Sequence, residues 1–186
     1  MEPEDIQQVG ACWLAGWSPL AWRAYPLGIT LAESISPLTT VRRLIVRGRL
    51  QVEASPQPRT LELWLGLAGR GGIHREPQPW RDRLWLISGE GPRVLTLEDA
   101  VLLSLQLDRD QLLAEARNQH ALPRLQGEFA PRTGPGTEEV LGLLLRELEQ
   151  DLDGGLPPRA RSSLELALMT LLIRCWNPEA PGEPGG

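Results

Sequence analysis

Residue types that commonly carry chemistry are sparse in this chain. Only two histidines occur, His74 and His120, far apart and without a Cys/His cluster at zinc-ligand spacing. His74 follows Gly71-Gly72 in an expected loop. His120 closes an expected helix, where it would complement the negative end of the helix dipole. The run Gly66-Leu67-Ala68-Gly69-Arg70-Gly71-Gly72 comes after a strand pattern and invites comparison with phosphate loops. It lacks the lysine of a P-loop and the glycine spacing of a dinucleotide fingerprint, and a Pro-bearing stretch stands where a helix N-terminus would be needed. A flexible hairpin connection accounts for it; an enzyme using Gly69 to Gly72 as an anion loop and His74 as a base ranks last. Glu98 and Asp99 are adjacent carboxylates that read as helix-start residues. A catalytic site needs several groups in complementary roles. None is visible, so no catalytic, cofactor-binding or metal-ligating residue is assigned, and the expectation is a protein that is not an enzyme and carries no cofactor.

A second kind of chemistry, stacking on bases, has better raw material. Arg43, Arg47 and Arg49 share one side of a strand, and Trp64 and Trp85 are placed on the same side of neighbouring strands. Arginine beside exposed aromatics stacks on single-stranded nucleic acid. These five residues form the candidate ligand face, with nucleic acid as an alternative partner. The competing reading lays the Arg stems over the Trp rings to cover a sheet. The formal net charge of −5 favours it, since no whole-chain field draws the protein to polyanions. Trp13, Trp17 and Trp22 form a further aromatic group, with Trp13 and Trp17 assigned to the core.

The bulk numbers bound the rest. With 186 residues, 41% of them hydrophobic, the chain can bury a core without metal or disulfide support. All 19 basic residues are arginine and none is lysine, while Trp occurs seven times against one Phe and one Tyr. GC-rich coding produces this bias; selection against lysine chemistry or for the planar guanidinium is the alternative. Cys12 and Cys175 stand near opposite ends, unlike a disulfide framework. The opening Met-Glu-Pro-Glu-Asp is acidic, unlike a signal peptide, and the longest apolar stretch, Leu164 to Trp176, is shorter than the roughly 20 residues a bilayer requires. A cytoplasmic protein without membrane insertion is the expectation.

Periodicity and breaker residues divide the chain into helices and strands. A short helix is expected from Pro3 to Trp17, with Ile6, Val9, Trp13 and Trp17 on one face, broken by Ser18-Pro19. Strands are expected at Gly28 to Glu33 and at Val41 to Glu53, where Leu44, Val46, Leu50 and Val52 alternate with polar residues. Two more are expected at Leu61 to Leu67 and Arg83 to Ser88. Thr96-Leu97-Glu98-Asp99 resembles a helix start leading into Ala100, Val101, Leu103 and Leu105, and another helix begins at Asp108 or Asp110. Residues Gln126 to Gly136 read as a linker. Beyond it, Thr137 caps a helix with Leu141, Leu144, Leu145, Leu148 and Leu152 in one stripe, Gly154-Gly155 ends it, and Pro157-Pro158 opens the next.

The resulting fold class is α+β: an antiparallel sheet of three to five strands with flanking helices, followed by a C-terminal helical hairpin. The division is a head over 1–134, a hairpin over 135–177 and a tail over 178–186. The last helix is apolar on nearly every side, so it needs cover on more than one face. This points to a non-catalytic assembly or adaptor protein that self-associates through Leu141, Leu145, Leu148, Leu152, Leu168, Leu172 and Trp176. A regulatory or accessory role is a further alternative.

Three features together resemble the amino-terminal domain of foamy-virus Gag proteins. They are the strand Gly28-Ile29-Thr30-Leu31-Ala32-Glu33 followed by Val41 to Gln51 and a Pro-bearing turn; Leu86-Ile87-Ser88-Gly89 leading toward a helix; and a Leu-rich helical segment after a Gly/Pro linker in a chain with arginine and no lysine. The likeness spans residues 28 to 153. It implies a mixed head with a dimerising helical stalk, acting in particle assembly and envelope leader-peptide recognition. The helical segment departs from that pattern, being a short hairpin with a Gly-Gly break, and the tail has no basic Gly/Arg-rich region.

Overall fold

The computed structural model describes residues 17–56, 60–74, 76–87, 92–118 and 135–176. Among these residues six strands form one antiparallel sheet: β1 (Trp17–Ile35), β2 (Thr39–Pro56), β3 (Thr60–Ile73), β4 (Gln78–Pro79), β5 (Leu84–Ile87) and β6 (Arg93–Asp108). The spatial order is β1-β2-β6-β3, and β4 and β5 share the remaining side of β3. Three helices follow among the described residues: α1 (Arg109–Asn118), α2 (Pro135–Glu149) and α3 (Pro158–Trp176), with a 3-10 turn at Gln150–Asp153 after α2.

The expected α+β arrangement, a modest sheet with an appended hairpin, gives way to a mostly-β fold. Strands of 19, 18, 14 and 16 residues dominate it. The largest departure is at Thr96, where a strand runs in place of the expected helix. β6 lies between β2 and β3 at the centre of the sheet, and both of its faces are buried. Leu95, Leu97, Ala100 and Leu102 join one hydrophobic cluster, while Leu103, Leu105 and Leu107 join another. A strand apolar on both sides loses the period-two signal. Between Leu97 and Ala100 the alternation also slips by one residue at Asp99, whose φ is 43°. The result imitates helical spacing.

The Asp99 irregularity belongs to a row that crosses the sheet. β1 shifts register between Pro26 and Gly28, β2 between Ile45 and Arg49, and β3 between Gly66 and Arg70. Gly48 and Gly69 adopt positive φ there, of 96° and 81°. Aligned bulges bend neighbouring strands together, so the sheet turns along this line and each long strand serves two halves.

One face of the sheet carries the first cluster, in which Leu44, Val46, Leu50 and Val52 of β2 pack with Ile29, Trp64, Ile87 and the β6 residues named above. No helix residue joins it among the described residues. Among the described residues its cover comes from the strands and from Trp80, which precedes β5, donates its indole N–H to the Ala68 carbonyl at 2.8 Å and meets Trp85 edge-on. Gly66 and Gly71 make room for it, since a Cβ at either position would collide with Trp80. The expected flexible glycine loop is thus the second half of β3, held flat against an indole.

On the other face, Val41, Leu61, Leu63, Leu65, Leu103, Leu105 and Leu107 meet Leu112 and Ala116 of α1, Leu141, Leu145 and Leu148 of α2, and Leu168, Met169, Leu172 and Ile173 of α3. The Asp108 carboxylate accepts from the Asp110 and Gln111 amides and caps α1. At about 1.5–3 kcal/mol for each buried Leu or Ile side chain, this docking is what holds the helices. The helix expected before Trp17 lies outside the described residues, as does the tail over 178–186, and Trp17 itself opens β1. Among the described residues no helix is long and apolar enough to cross a membrane.

Candidate functional site

Among the described residues, three surfaces gather polar or apolar side chains outside the core. The first is a seam where the 3-10 turn and α3 meet the β1–β2 connection. The Arg161 guanidinium pairs with Asp151, donates to Glu165 Oε1 at 3.0 Å and donates to the Ser34 hydroxyl. Glu165 also accepts from the hydroxyls of Ser36 at 2.5 Å and Thr39 at 2.6 Å. Arg161 and Glu165 are four residues apart on α3, so they share its sheet-side face. Beside the seam, Arg43 reaches Glu149 at 3.1 Å and Asp153 at 3.3 Å. The Glu149 hydrogen bond, with Asp153 behind it, raises the guanidinium above its ordinary value against the opposing pull of burial. Burial of Arg161, Glu165 and Asp151 is tolerated because each of these charges has at least two partners.

The outward side of the helices is the second surface. Residues two positions from a buried one point nearly the opposite way on a helix. Leu143, between buried Leu141 and Leu145, is 57% exposed; Val140, one turn earlier, is 46% exposed; and Leu166, two before buried Leu168, is 49% exposed. Leu144, Leu164 and Leu171 are partly buried along the edges of the same helices.

The third is a cleft on the half of the sheet that the helices leave uncovered. Arg49 and Gln51 of β2 stand opposite Glu98 and Thr96 of β6, in alternate rows that share one face, with the Leu50–Leu97 row between them. Arg70 of β3 joins the Arg49–Glu98 row. His74, Glu76 and Pro77 from the β3–β4 connection close one side, and Val94 lies at the end, giving a cleft of about 360 Å³. Glu98 bridges Arg49 at 3.4 Å and Arg70 at 3.5 Å, and Arg70 also donates to the Pro77 carbonyl at 2.7 Å. Among the described residues no group of three or more His, Cys, Asp or Glu side chains could hold a metal ion.

The residues singled out from sequence do not stay together. Arg43 lies on the helix-side face within the seam, Arg47 is exposed beside the bend, and Arg49 lines the cleft. Trp64 pairs with Trp85 across β3 and β5, and Trp64 is only 1% exposed, on the opposite face from Arg43. The arginine sharing its row is Arg42, which pairs with Glu33 and donates to Gln106 at 2.7 Å. The continuous Arg/Trp face therefore does not form. Leu141, Leu145, Leu148, Leu168 and Leu172 are buried within the chain's own second cluster, and Leu152 packs against it partly buried. The surface expected to face a partner is filled by the sheet. The Trp176 side chain lies outside the described residues, though its backbone ends α3. The seam was missed because Ser34, Thr39 and Asp151 are remote in sequence from Arg161. The one local signal was the spacing of four between Arg161 and Glu165 on α3.

No protein family matches this chain, and no curated protein does. Among solved structures it is similar to the AraC-like transcriptional activator CuxR, with a TM-score of 0.59 over 93% of this chain and 67% of that one, at 12% identity. Weaker likenesses reach the Streptomyces nucleoside dehydratase Pac13 (TM-score 0.36, 16% identity, 51% of this chain and 78% of that one). KdgF from Halomonas sp. is similar at TM-score 0.37 and 11% identity, over 48% of this chain and 87% of that one. At 12% identity the first likeness speaks to the fold, and it agrees with the mostly-β architecture.

Proposed function

We propose that this chain is a non-catalytic binding protein that pairs with a second copy of itself through the outward faces of α2 and α3. The observation behind the reading is the exposure of Val140, Leu143 and Leu166 on helices whose opposite faces are already sunk into the sheet. The helices are thereby held rigidly, so little ordering cost accompanies association. Covering the exposed halves of these side chains would return roughly 1 kcal/mol each, and a two-fold pairing counts every residue twice.

The likeness to a transcriptional activator over 93% of the chain supports a regulatory setting for that pairing. The particle-assembly role implied by the Gag resemblance rests on the sequence pattern alone, and self-association is the part of it that the helix surface supports. The test is mass in solution. The wild-type chain is expected at about twice 20.6 kDa at micromolar concentration, and Leu143→Asp with Leu166→Asp at the single-chain mass with an unchanged circular dichroism spectrum. A wild-type chain that sediments as a monomer would overturn the proposal.

A further inference from the structure

The cleft at the uncovered end of the sheet plays no part in that pairing, and its chemistry is of a different kind. We propose that it is a binding site for a small hydroxylated oxyanion, a carboxylate or phosphate borne on a body with hydroxyl groups. Its volume of about 360 Å³ suits a small metabolite. Five of the seven lining residues are polar, namely Arg49, Gln51, His74, Glu76 and Thr96, and they come from three separate segments.

The charges identify the anionic part. Two guanidinium groups share the single Glu98 carboxylate, at 3.4 and 3.5 Å. Charge-assisted N–H···O bonds close to about 2.7–2.9 Å when fully formed, so neither ion pair is tight. Arg70 has a second anchor in the Pro77 carbonyl. Arg49 has none among the described residues, and its side chain is half exposed. An oxyanion entering the cleft can take Arg49 as a bidentate partner while Arg70 keeps Glu98 neutralised. No lone carboxylate is then left behind.

The remaining polar groups identify the body. The side chains of Gln51, His74, Glu76 and Thr96 make no hydrogen bond or ion pair with other described residues. Gln51 and Thr96 are fixed as opposite partners on two strands, and the His74 amide donates to the Val94 carbonyl at 2.8 Å, which pins the third segment. Glu76 accepts and cannot donate, so it selects hydroxyl groups on the ligand and repels a second anionic centre on its side.

Calorimetric titration of the full chain with gluconate, glucose 6-phosphate and inorganic phosphate tests the cleft. Saturable binding of gluconate or glucose 6-phosphate, tighter than inorganic phosphate, is expected; which of the two binds tells carboxylate from phosphate. Arg49→Gln should weaken it by at least roughly tenfold, equivalent to about 1.4 kcal/mol, and Gln51→Ala should weaken it independently. Glu98→Gln, which releases Arg49, should bind at least as tightly as the wild type. Arg81→Gln, at an exposed position outside the cleft, should leave affinity unchanged. The Leu143→Asp/Leu166→Asp chain should bind normally, so loss of pairing and loss of the cleft are separable. Failure of both hydroxylated probes to bind, or equal binding by the wild type and Arg49→Gln, overturns the proposal.

Discussion

Arg161→Met is the sharpest probe of how the helices are held to the sheet. The side chain volume is nearly conserved, so the change removes charge and hydrogen bonds without opening a large void. In the native seam Arg161 serves Glu165, Asp151 and the Ser34 hydroxyl. The Glu165 side chain is 2% exposed and that of Asp151 is 13% exposed, so water cannot replace the guanidinium. Removing one partner of a buried ion pair costs about 3–5 kcal/mol, because the other charge is left uncompensated. Glu165 still accepts from Ser36 and Thr39, which places the expected loss at the lower end, near 3 kcal/mol. For a chain of 186 residues that is a fall in Tm of about 6–12 °C. The double variant Arg161→Met/Glu165→Met also removes the more deeply buried of the two stranded carboxylates, while Asp151 keeps the Ser34 hydroxyl. Replacing a buried pair by apolar side chains is often close to neutral, so the double variant should lie within about 1–2 kcal/mol of the wild type. Urea titrations followed by circular dichroism and Trp fluorescence measure all three chains. A single variant within about 0.5 kcal/mol of the wild type, or a double variant less stable than the single, would refute the reasoning.

Gly71→Ala drives a methyl group into the Trp80 indole, which is itself buried and bonded to Ala68. A loss of about 1–3 kcal/mol is expected from this overpacking, with a change in near-ultraviolet circular dichroism; an unaltered denaturation midpoint would argue against the packing described. Burial pushes the Cys175 thiol above the usual range, more than its hydrogen bond with Thr137 pulls it down. In a Cys12→Ser background it should therefore react with a disulfide reagent more slowly than free cysteine at neutral pH and accelerate only in alkali. A rate equal to that of free cysteine at neutral pH would contradict this.

Part of this protein is legible in residue order alone. The alternation of Leu44, Val46, Leu50 and Val52 determines β2 and the side it buries, because a strand with one wet face must alternate. Leucines three and four apart determine the inner stripe of α2, because a helix turns in 3.6 residues. Other features were settled only by tertiary structure. Periodicity reports that a side chain is buried, not what covers it, so the helix leucines read equally well as a seam for a second chain. In the folded molecule Leu61, Leu63, Leu65 and the β6 leucines fill that place. β6 gave a false helix signal because burial on both faces erased its alternation and the Asp99 bulge shifted its phase. The choice between Arg42 and Arg43 as the neighbour of Trp64 is a matter of strand register, which brings together residues more than 20 positions apart. The cleft and the seam depend on that same long-range pairing, and local sequence carries no record of it.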